Sequence, residues 1–181
     1  QLIVPFGVNN DATGSGHTLF IKDDGSLWAM GANDFGQLGE GTNLNRATPV
    51  QVIASGVKQV ASFHKHSVVV MKDGSLWTTG HNLFGQLGDG STTHSNVFKK
   101  VMNSGVVRAA AGSYHTLAVK DDHRLWGFGR NYFGQLGPLA SHPQVVPLDL
   151  NITSAIPFWA DPQILASGGA DHSVIGGKHV R

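Results

Sequence analysis

The side chains best suited to chemistry in this chain are its histidines, of which there are 10 among 181 residues. Imidazole titrates near neutral pH and is a common zinc ligand, so a histidine cluster is a natural first candidate for a catalytic or metal site. His64 and His66 are spaced as two ligands on one face of a strand would be. No Asp or Glu completes a ligand set around them, and we therefore predict no metal site there.

The carboxylates and glycines also lack the spacing that catalysis or cofactor binding requires. Turn formation explains the acidic positions Asp23-Asp24, Asp73-Gly74 and Asp121-Asp122, none of which has the spacing of a calcium loop. The chain has no phosphate-binding loop and no Gly-x-Ser-x-Gly nucleophile motif. Cysteine is absent, which excludes disulfides, thiolate metal sites and a thiol nucleophile. We predict no catalytic residue, no metal and no cofactor, and hence a protein that is not an enzyme.

Three of the histidines instead belong to a phrase that recurs at a fixed interval of 49 residues. Each stands 11 residues before a tryptophan, which precedes a Gly-x-Asn-x-Phe-Gly-Gln-Leu-Gly stretch. The recurring positions are His17, His66, His115; Trp28, Trp77, Trp126; Gly31, Gly80, Gly129; Asn33, Asn82, Asn131; and Phe35, Phe84, Phe133. His172 starts a further copy, 57 residues after His115. A period in this range is typical of a repeat architecture.

Structural roles are the simplest interpretation of these recurring residues. The glycines are expected where a positive φ or a lack of space excludes a side chain. The asparagines are expected to bond the backbone of a turn, and the histidines to bridge neighbouring strands from buried positions. The phenylalanines, with Leu38, Leu87 and Leu136, are expected to fill the seams between units. The tryptophans are expected to cover sheet faces, each indole N–H meeting a backbone acceptor.

The repeat at residues 57–105 reads as four short strands. The predicted strands are Val57–Phe63, His66–Met71, Leu76–Gly80 and Phe98–Met102. The second is a continuous apolar run, which indicates burial on both faces, and Asp73-Gly74 after it supplies a hairpin turn. A content of 24 Gly with only 14% charged residues suits a turn-rich β protein. We predict an all-β fold in which each repeat is one four-stranded antiparallel blade of a β-propeller.

The pattern Gly-x-x-His-[Ser/Thr] … Leu-Trp-x-x-Gly-x-Asn-x-Phe-Gly-Gln-Leu-Gly resembles the repeat of the regulator of chromosome condensation family, and the resemblance covers residues 8 to about 175. It implies a seven-bladed propeller. It also implies varied protein partners, including small GTPases, chromatin, ubiquitin machinery and, in bacteria, secreted enzymes. Guanine-nucleotide exchange, the activity of the founding member, is implied as an alternative function, although it uses a projecting β-wedge that this sequence does not reveal.

The repeat frame predicts about 3.5 blades in one repeat domain. Residues 1–7 are expected to be the last strand of a preceding blade, 8–56, 57–105 and 106–162 to be full blades, and 163–181 to hold two strands of an incomplete blade. A second copy could complete the ring as a homodimer by exchanging the strand Gln1–Gly7, or the remainder of a longer protein could do so. Closure as a four-bladed ring is the less favoured alternative.

Residues that vary at fixed repeat positions are the candidates for partner specificity. These are Asp34, Leu83 and Tyr132 in one loop set, and Phe63, His64 and Tyr114 in another. The extra residues of the third interval, from His115 to His172, add Phe158 and Trp159, which bind a partner or fold back over an exposed edge. We predict a non-catalytic protein–protein interaction scaffold. The alternatives are a guanine-nucleotide exchange factor or, less favoured, an enzyme or lectin that uses the central channel.

Charge and hydropathy exclude two other classes of partner. The net charge is +1 and the tightest basic pair is Lys99-Lys100, so the sequence lacks the basic stripe typical of nucleic-acid binders. No apolar run approaches the roughly 20 residues of a membrane span. The sequence shows no signal peptide and opens on Gln1, and we expect a processed or excised piece whose compartment is not predicted.

Overall fold

The computed structural model describes residues 8–151, 165–168 and 173–176, and in these it contains strands, turns and loops. The strands, in chain order, are β1 Val8–Thr13, β2 His17–Lys22, β3 Leu27–Gly31, β4 Arg46–Ile53, β5 Val57–Phe63, β6 His66–Met71, β7 Leu76–Gly80, β8 Ser95–Met102, β9 Val106–Ala111, β10 His115–Lys120, β11 Leu125–Gly129, β12 Gln144–Asp149, β13 Leu165–Gly168 and β14 Ser173–Gly176. In this part of the chain no helix is long and apolar enough to cross a membrane.

The strands form three four-stranded antiparallel sheets, β1 to β4, β5 to β8 and β9 to β12, and one two-stranded sheet, β13 with β14. Within each four-stranded sheet the strands pair in chain order. The predicted all-β fold of four-stranded antiparallel blades is therefore confirmed. We call the three four-stranded sheets the first, second and third blade.

The last strand of the second blade begins earlier than predicted. β8 starts at Ser95, three residues before the predicted start of this strand at Phe98. Ser95 pairs with Gly80 of β7, beyond a register shift between Thr78 and Gly80. Because a bulge uncouples the pairing from the side-chain alternation, the apolar pattern marked only the later part of the strand.

Two of the three apolar clusters in the described residues lie in the seams between neighbouring blades, and the third lies on the third blade. One cluster joins Leu19, Leu27 and Leu38 of the first blade to Val60 and Val69 of the second. The next cluster joins Val68, Val70 and Leu76 of the second blade to Val106, Ala109, Ala118 and Phe128 of the third. Strand β6 thus sends alternate valines into opposite seams, which is why its apolar run is continuous and buried.

Antiparallel pairing sorts the connections to two opposite ends of the blades. One end carries the turns between the first and second strands of each blade and the long loops between the third and fourth strands. We call this end the loop face. The opposite end carries the turns between second and third strands, such as Asp73-Gly74, and the links between blades.

Candidate interaction face

The long loop between β7 and β8 is held by one buried asparagine. The Nδ2 atom of Asn82 donates to Asp89 Oδ1 at 3.1 Å and to the carbonyl oxygens of Ser91 and Thr93 at 3.1 and 3.0 Å. Its Oδ1 accepts the Leu87 N–H at 2.9 Å. Both ends of the Asn82 amide therefore bond the loop that follows it. These bonds hold the loop from within, and the exposed residues at its tip are not needed to fix its conformation.

The same arrangement recurs in the other two blades. Asn33 Oδ1 accepts the Leu38 N–H at 3.0 Å, and Asn131 Oδ1 accepts the Leu136 N–H at 2.9 Å. The backbone N–H of each asparagine is also capped, by Asn45 Oδ1 in the first blade, His94 Nδ1 in the second and His142 Nδ1 in the third. The residue that caps the asparagine differs between blades although the cap itself is retained.

The glycine that precedes each loop permits a close approach of two chain segments. Gly80 has φ +108°, and a Cβ there would lie 2.5 Å from the Lys65 carbonyl oxygen. Gly31 and Gly129 have φ of +105° and +112° and meet the carbonyl oxygens of Gly16 and Tyr114 in the same way. Both the backbone conformation and the space exclude a side chain.

The repeated histidines connect adjacent blades through a hydroxyl group. His17 Nε2 lies 3.0 Å from Ser67 Oγ of the second blade, and Ser67 Oγ donates to the Gln37 carbonyl oxygen of the first blade at 2.7 Å. Since the hydroxyl proton is used on Gln37, the His17 ring must donate from Nε2. His66, Thr116 and Gln86 repeat the relay across the next seam, at 3.1 and 2.8 Å.

Burial keeps these two rings neutral. It lowers the pKa of His17 to about 4, and burial, followed by the charges of His115 and three other histidines, lowers the pKa of His66 to about 3. The Nδ1 atoms of His17 and His66 are buried and have no hydrogen-bond partner among the described residues. A proton placed on either Nδ1 would therefore be a buried charge without a counter-ion.

The tryptophans use a different acceptor from the one predicted. Trp28 Nε1 donates to Ser26 Oγ at 3.0 Å, and Trp77 Nε1 donates to Ser75 Oγ at 2.9 Å. The expectation of backbone acceptors is thus wrong for these two, because a hydroxyl two residues earlier on the same edge of the strand is within reach. Trp126 has Arg124 at that position, and its indole nitrogen is buried without a partner among the described residues.

The phenylalanines lie at the loop-face end of the seams. Phe35 of the first blade contacts the rings of His81 and His94 of the second, at centroid distances of 5.0 and 5.1 Å. Phe84 of the second blade contacts Tyr114 of the third at 5.0 Å. Phe133 is 59% exposed and packs against Tyr132 of its own loop, and because the next blade lies mostly outside the described residues its seam-filling role stays a prediction.

These contacts join into one surface across all three blades. His81 and His94 are stacked at 4.7 Å, His64 contacts Tyr114 at 5.0 Å, and Tyr132 contacts His142 at 5.8 Å. We call this surface the aromatic patch, and it consists of Phe35, His64, Lys65, His81, Phe84, His94, Tyr114, Arg130, Tyr132, Phe133 and His142.

Two cations lie on the rings of the patch. Lys65 Nζ is 4.5 Å from the centroid of Phe35. The Arg130 guanidinium is 5.6 Å from Phe84, 5.7 Å from Tyr114 and 5.1 Å from Phe133. Cation–π attraction at such distances orients both cations over aromatic surface.

The structure brings part of the predicted binding set together. His64, Tyr114 and Tyr132 belong to the aromatic patch. Asp34, Leu83 and Phe63 are exposed on the same loop face, outside the ring contacts that define the patch. Phe158 and Trp159, and with them the repeat residue His172, lie outside the described residues.

Sequence reasoning missed five members of the patch, namely Lys65, His81, His94, Arg130 and His142. A signal for them was present, because they occupy repeat positions at which the other blades carry different residues. Position 81 corresponds to Ala32 and to Arg130, and His94 corresponds to Asn45. This variation lies beside the repeated asparagine and not at the exposed tips of the loops.

The histidines of the patch do not form a metal centre. The described residues contain no group of three or more His, Cys, Asp or Glu side chains that could hold a metal ion. His64 and His66 do not share a strand face, since His64 adopts φ +52° in a turn while His66 is buried in the seam. The alternation of the two histidines in the sequence is therefore broken by the turn between β5 and β6.

Two models of one repeat match this chain. The model of the regulator of chromosome condensation (RCC1) repeat matches residues 24–70 and 73–119, more than half of the chain. A second model of the same repeat matches residues 106–135. A curated relative, the ultraviolet-B receptor UVR8 of Arabidopsis thaliana, is 50% identical over 36 residues, which are 20% of this chain and 8% of the receptor.

Solved structures share the fold over nearly the whole chain. Yeast RCC1 (Prp20), bound to Kap60, superposes with a TM-score of 0.79 at 24% identity, over 97% of this chain and 42% of that one. Prp20p of Saccharomyces cerevisiae, described with its binding to Gsp1p and histones, gives 0.74 at 23% identity, over 96% and 44%. Human WBSCR16 gives 0.59 at 20%, over 99% and 60%. This chain thus spans less than half of the yeast protein.

Proposed function

The chain belongs to the regulator of chromosome condensation (RCC1) repeat family, and from this premise we propose that it is a non-catalytic scaffold that binds a protein partner through its loop face. The observation that carries the proposal is the aromatic patch, a continuous surface of rings and cations built on loops that are fixed from within. Aromatic residues and arginine are enriched among the residues that dominate binding energy at protein interfaces.

The division of labour within each repeat supports this role. Residues that recur in all three repeats, such as Asn82 and Gly80, close the loops and let the chain segments approach. Residues that differ between repeats, such as Tyr132 and Leu83, stand outward, at 67% and 58% exposure. A rigid frame with variable exposed tips reduces the entropy lost on binding, which favours recognition.

Relatives are consistent with a protein-binding role. The yeast protein of this fold is named with Kap60, Gsp1p and histones as the molecules that it binds. Since this chain spans less than half of that protein, the partners of the yeast protein are not assigned to it. Guanine-nucleotide exchange on a small GTPase is the second candidate function, and its support is the likeness to a Gsp1p-binding protein.

A nucleotide-release assay separates the two candidates. Small GTPases loaded with a fluorescent guanine nucleotide would be mixed with the purified chain, and release would be followed by the loss of fluorescence. We expect the release rate to be unchanged. An acceleration of about tenfold or more for any one GTPase would replace the scaffold proposal by the exchange-factor function.

Affinity isolation with matched variants tests the binding face directly. The baits would be the native chain, a double variant Tyr114→Ala with Tyr132→Ala, and a control variant Lys58→Ala on the opposite face. We expect at least one protein to be captured by the native and control baits and lost with the double variant. Capture that is equal on all three folded baits would contradict the proposed face.

A further inference from the structure

Hydrogen bonding fixes which nitrogen of His81 carries the proton. Gln86 Oε1 accepts the Phe84 N–H at 3.0 Å, so the other end of this amide, Nε2, is the donor that lies 2.7 Å from His81 Nδ1. His81 Nδ1 must therefore accept, and the neutral ring carries its proton on Nε2. Burial, followed by the charge of His94, lowers the pKa of His81 to about 4, so the ring is neutral at neutral pH.

The neighbouring ring is fixed in the same tautomer by a different bond. His94 Nδ1 accepts the backbone N–H of Asn82 at 2.9 Å, which leaves the proton on Nε2. Burial lowers the pKa of His94 as well. In the described part of the chain neither Nε2 atom makes a hydrogen bond and neither is a buried unpartnered atom. The stacked pair thus has two N–H donors, one on His94 and one on His81, which is only 6% exposed, and no free imidazole lone pair.

The charged side chains around the two histidines are mainly positive. Lys65 lies over Phe35, which packs on both imidazole rings, and it forms no ion pair within the described residues. Arg130 extends the surface over Phe84 and Tyr114. Of the carboxylates on these loops, Glu40 is bound by Arg46 at 2.7 Å and Asp89 by Lys99 at 2.5 Å, which leaves Asp34 at the rim. Donors and cations therefore outnumber acceptors on the patch.

We propose that the aromatic patch recognises an acidic segment of the partner, whose carboxylates accept from His81, His94 and Lys65 while its apolar side chains lie on Phe35 and Tyr114. This inference rests on the proposed scaffold function and specifies its partner. Carboxylates match it because they offer only acceptors when ionised, and hydrogen bonds to charged groups are stronger than neutral ones. A basic segment would meet like charge, and a metal ion would find no lone pair.

The probes are short fluorescent peptides, one that alternates Glu with Leu and matched versions in which Gln or Lys replaces every Glu. Binding to the folded chain would be measured by fluorescence anisotropy at low and physiological salt. We expect the Glu peptide to bind on the order of tenfold more tightly than the Gln peptide, with weaker binding at higher salt, and the Lys peptide not to bind. Equal binding of the Glu and Gln peptides would overturn the inference.

The repeat itself supplies a variant that replaces the His94 ring and keeps the cap. In the first blade Asn45 Oδ1 caps the Asn33 N–H at 2.8 Å, the position that His94 occupies in the second blade. His94→Asn should therefore keep the cap and the melting temperature while it replaces the imidazole, with its Nε2–H group and its contacts to Phe35 and His81, by a shorter amide. We expect this variant to bind the Glu peptide about two- to tenfold more weakly, as for the loss of one hydrogen bond. Unchanged binding would remove His94 from the recognition site.

A pair of charge variants controls for the general positive charge of the chain. Lys65→Met with Arg130→Gln removes two charges from the patch, and Lys58→Met with Lys72→Met removes two from the opposite face, where both lysines border one surface cavity. Only the first pair should weaken Glu-peptide binding, by about tenfold or more. If the Arg130→Gln change unfolds the chain, the single variant Lys65→Met is used for the same binding measurement. If both double variants lost Glu-peptide binding equally, the binding would reflect non-specific attraction to the positive charge of the chain.

Three further outcomes are decisive. A single-stranded RNA oligonucleotide that binds more tightly than the Glu peptide, and depends on the same residues, would assign the patch to nucleic acid and overturn the inference. If no acidic peptide binds while affinity isolation still depends on Tyr114 and Tyr132, the acidic partner is wrong and the scaffold function stands. Loss of both results would reject the two proposals together.

Discussion

Arg124 stands where the other two repeats have a serine, and the exchange deprives an indole of its acceptor. In the first two blades an aspartate accepts the serine N–H, and the serine hydroxyl accepts from tryptophan. Asp122 retains the first bond, at 3.1 Å to Arg124 N. Trp126 Nε1 is left buried and unpartnered among the described residues. Because the indole N–H has a serine acceptor in the other two repeats, a serine at position 124 should restore the missing hydrogen bond.

Arg124→Ser is therefore expected to stabilise the chain. A buried donor that regains its partner contributes about 1–3 kcal/mol, whereas the exposed pair of Arg124 with Asp149 contributes about 0–1 kcal/mol. We expect the free energy of unfolding to rise by about 1 kcal/mol, measured by urea denaturation. Arg124→Ala loses the same ion pair without supplying a hydroxyl, and it should lie below the native chain. An Arg124→Ser variant no more stable than Arg124→Ala would refute this assignment.

Buried histidines should make the fold sensitive to mild acid. The pKa of His17 is about 4 and that of His66 about 3 in the folded chain, against about 6.5 when unfolded. Below about pH 6.5 the unfolded chain binds protons that the folded chain does not. The free energy of unfolding therefore decreases as the pH is lowered, until the pH reaches the pKa of the folded state. Each histidine should cost about 1.4 kcal/mol per pH unit in this window.

Nuclear magnetic resonance can check the acid sensitivity in the folded state. The ring protons of His17 and His66 should show no titration between pH 7 and about 5.5, while urea midpoints fall over the same range. Titration of either ring near 6.5 in the folded chain would show that its burial does not exclude the proton. A flat dependence of stability on pH in this window would contradict the linkage itself.

At the scale of elements, the loop face depends on a turn that only glycine can make. Gly80→Ala must place a Cβ against the Lys65 carbonyl oxygen, at φ +108°. Gly41 offers a matched control, since it has φ +91° with no atom within 4 Å of a Cβ. We expect Gly41→Ala to cost about 1–2 kcal/mol from the backbone conformation, and Gly80→Ala to cost at least about 2 kcal/mol more from the overlap.

Chemical denaturation of the two glycine variants isolates the effect of the close approach. The difference between them measures the contact between the loop and the first turn of the blade, because both share the positive φ. Equal losses of unfolding free energy would mean that the loop can move away from Lys65, and that the loop face is less rigid than its hydrogen bonds indicate.

At the scale of the whole molecule, stability is shared between neighbouring blades. Each seam contains apolar side chains from two sheets and a histidine relay between them. The second blade takes part in both seams, through Val69 on one side and Val68 and Val70 on the other. In repeat proteins the interfaces between units supply much of the stability that single units lack.

Hydrogen exchange should therefore be slowest in the second blade. We expect the amides of β6 and β7 to be better protected than those of β2 and β3, as measured by mass spectrometry of peptides after exchange. His17→Gln would provide a perturbation at the first seam, and it should speed exchange in both adjoining blades. Faster exchange confined to the first blade would show that the seam does not couple them.

Completion of the ring by a second copy stays a prediction of its own. Such a homodimer would exchange residues 1–7, which lie outside the described part of the chain. Its expected mass in sedimentation is twice the 19.2 kDa of the chain, or about 38 kDa. A mass of 19.2 kDa would contradict the two-copy ring and leave the other ways of completion.

The sequence by itself determined the repeat, the strands and the turns, because these depend on residues close together in the chain. The period of 49 residues gives the length of one blade. Within a blade, side-chain alternation and glycine conformation fix the backbone, as in the apolar run His66–Met71 and the Asp73-Gly74 turn. The start of β8 at Ser95 escaped prediction because a register shift interrupts that alternation.

Only the tertiary structure decided which surface the variable residues make. Phe35, His81 and Tyr114 come from three different blades and meet because the seams bring the loop ends together. The same contacts decide the tautomers of His81 and His94, since the bonds to Gln86 and Asn82 depend on how each loop closes. Residues that vary in type carry no periodic signal, so their chemistry follows from packing across the blades and from the loops that hold them.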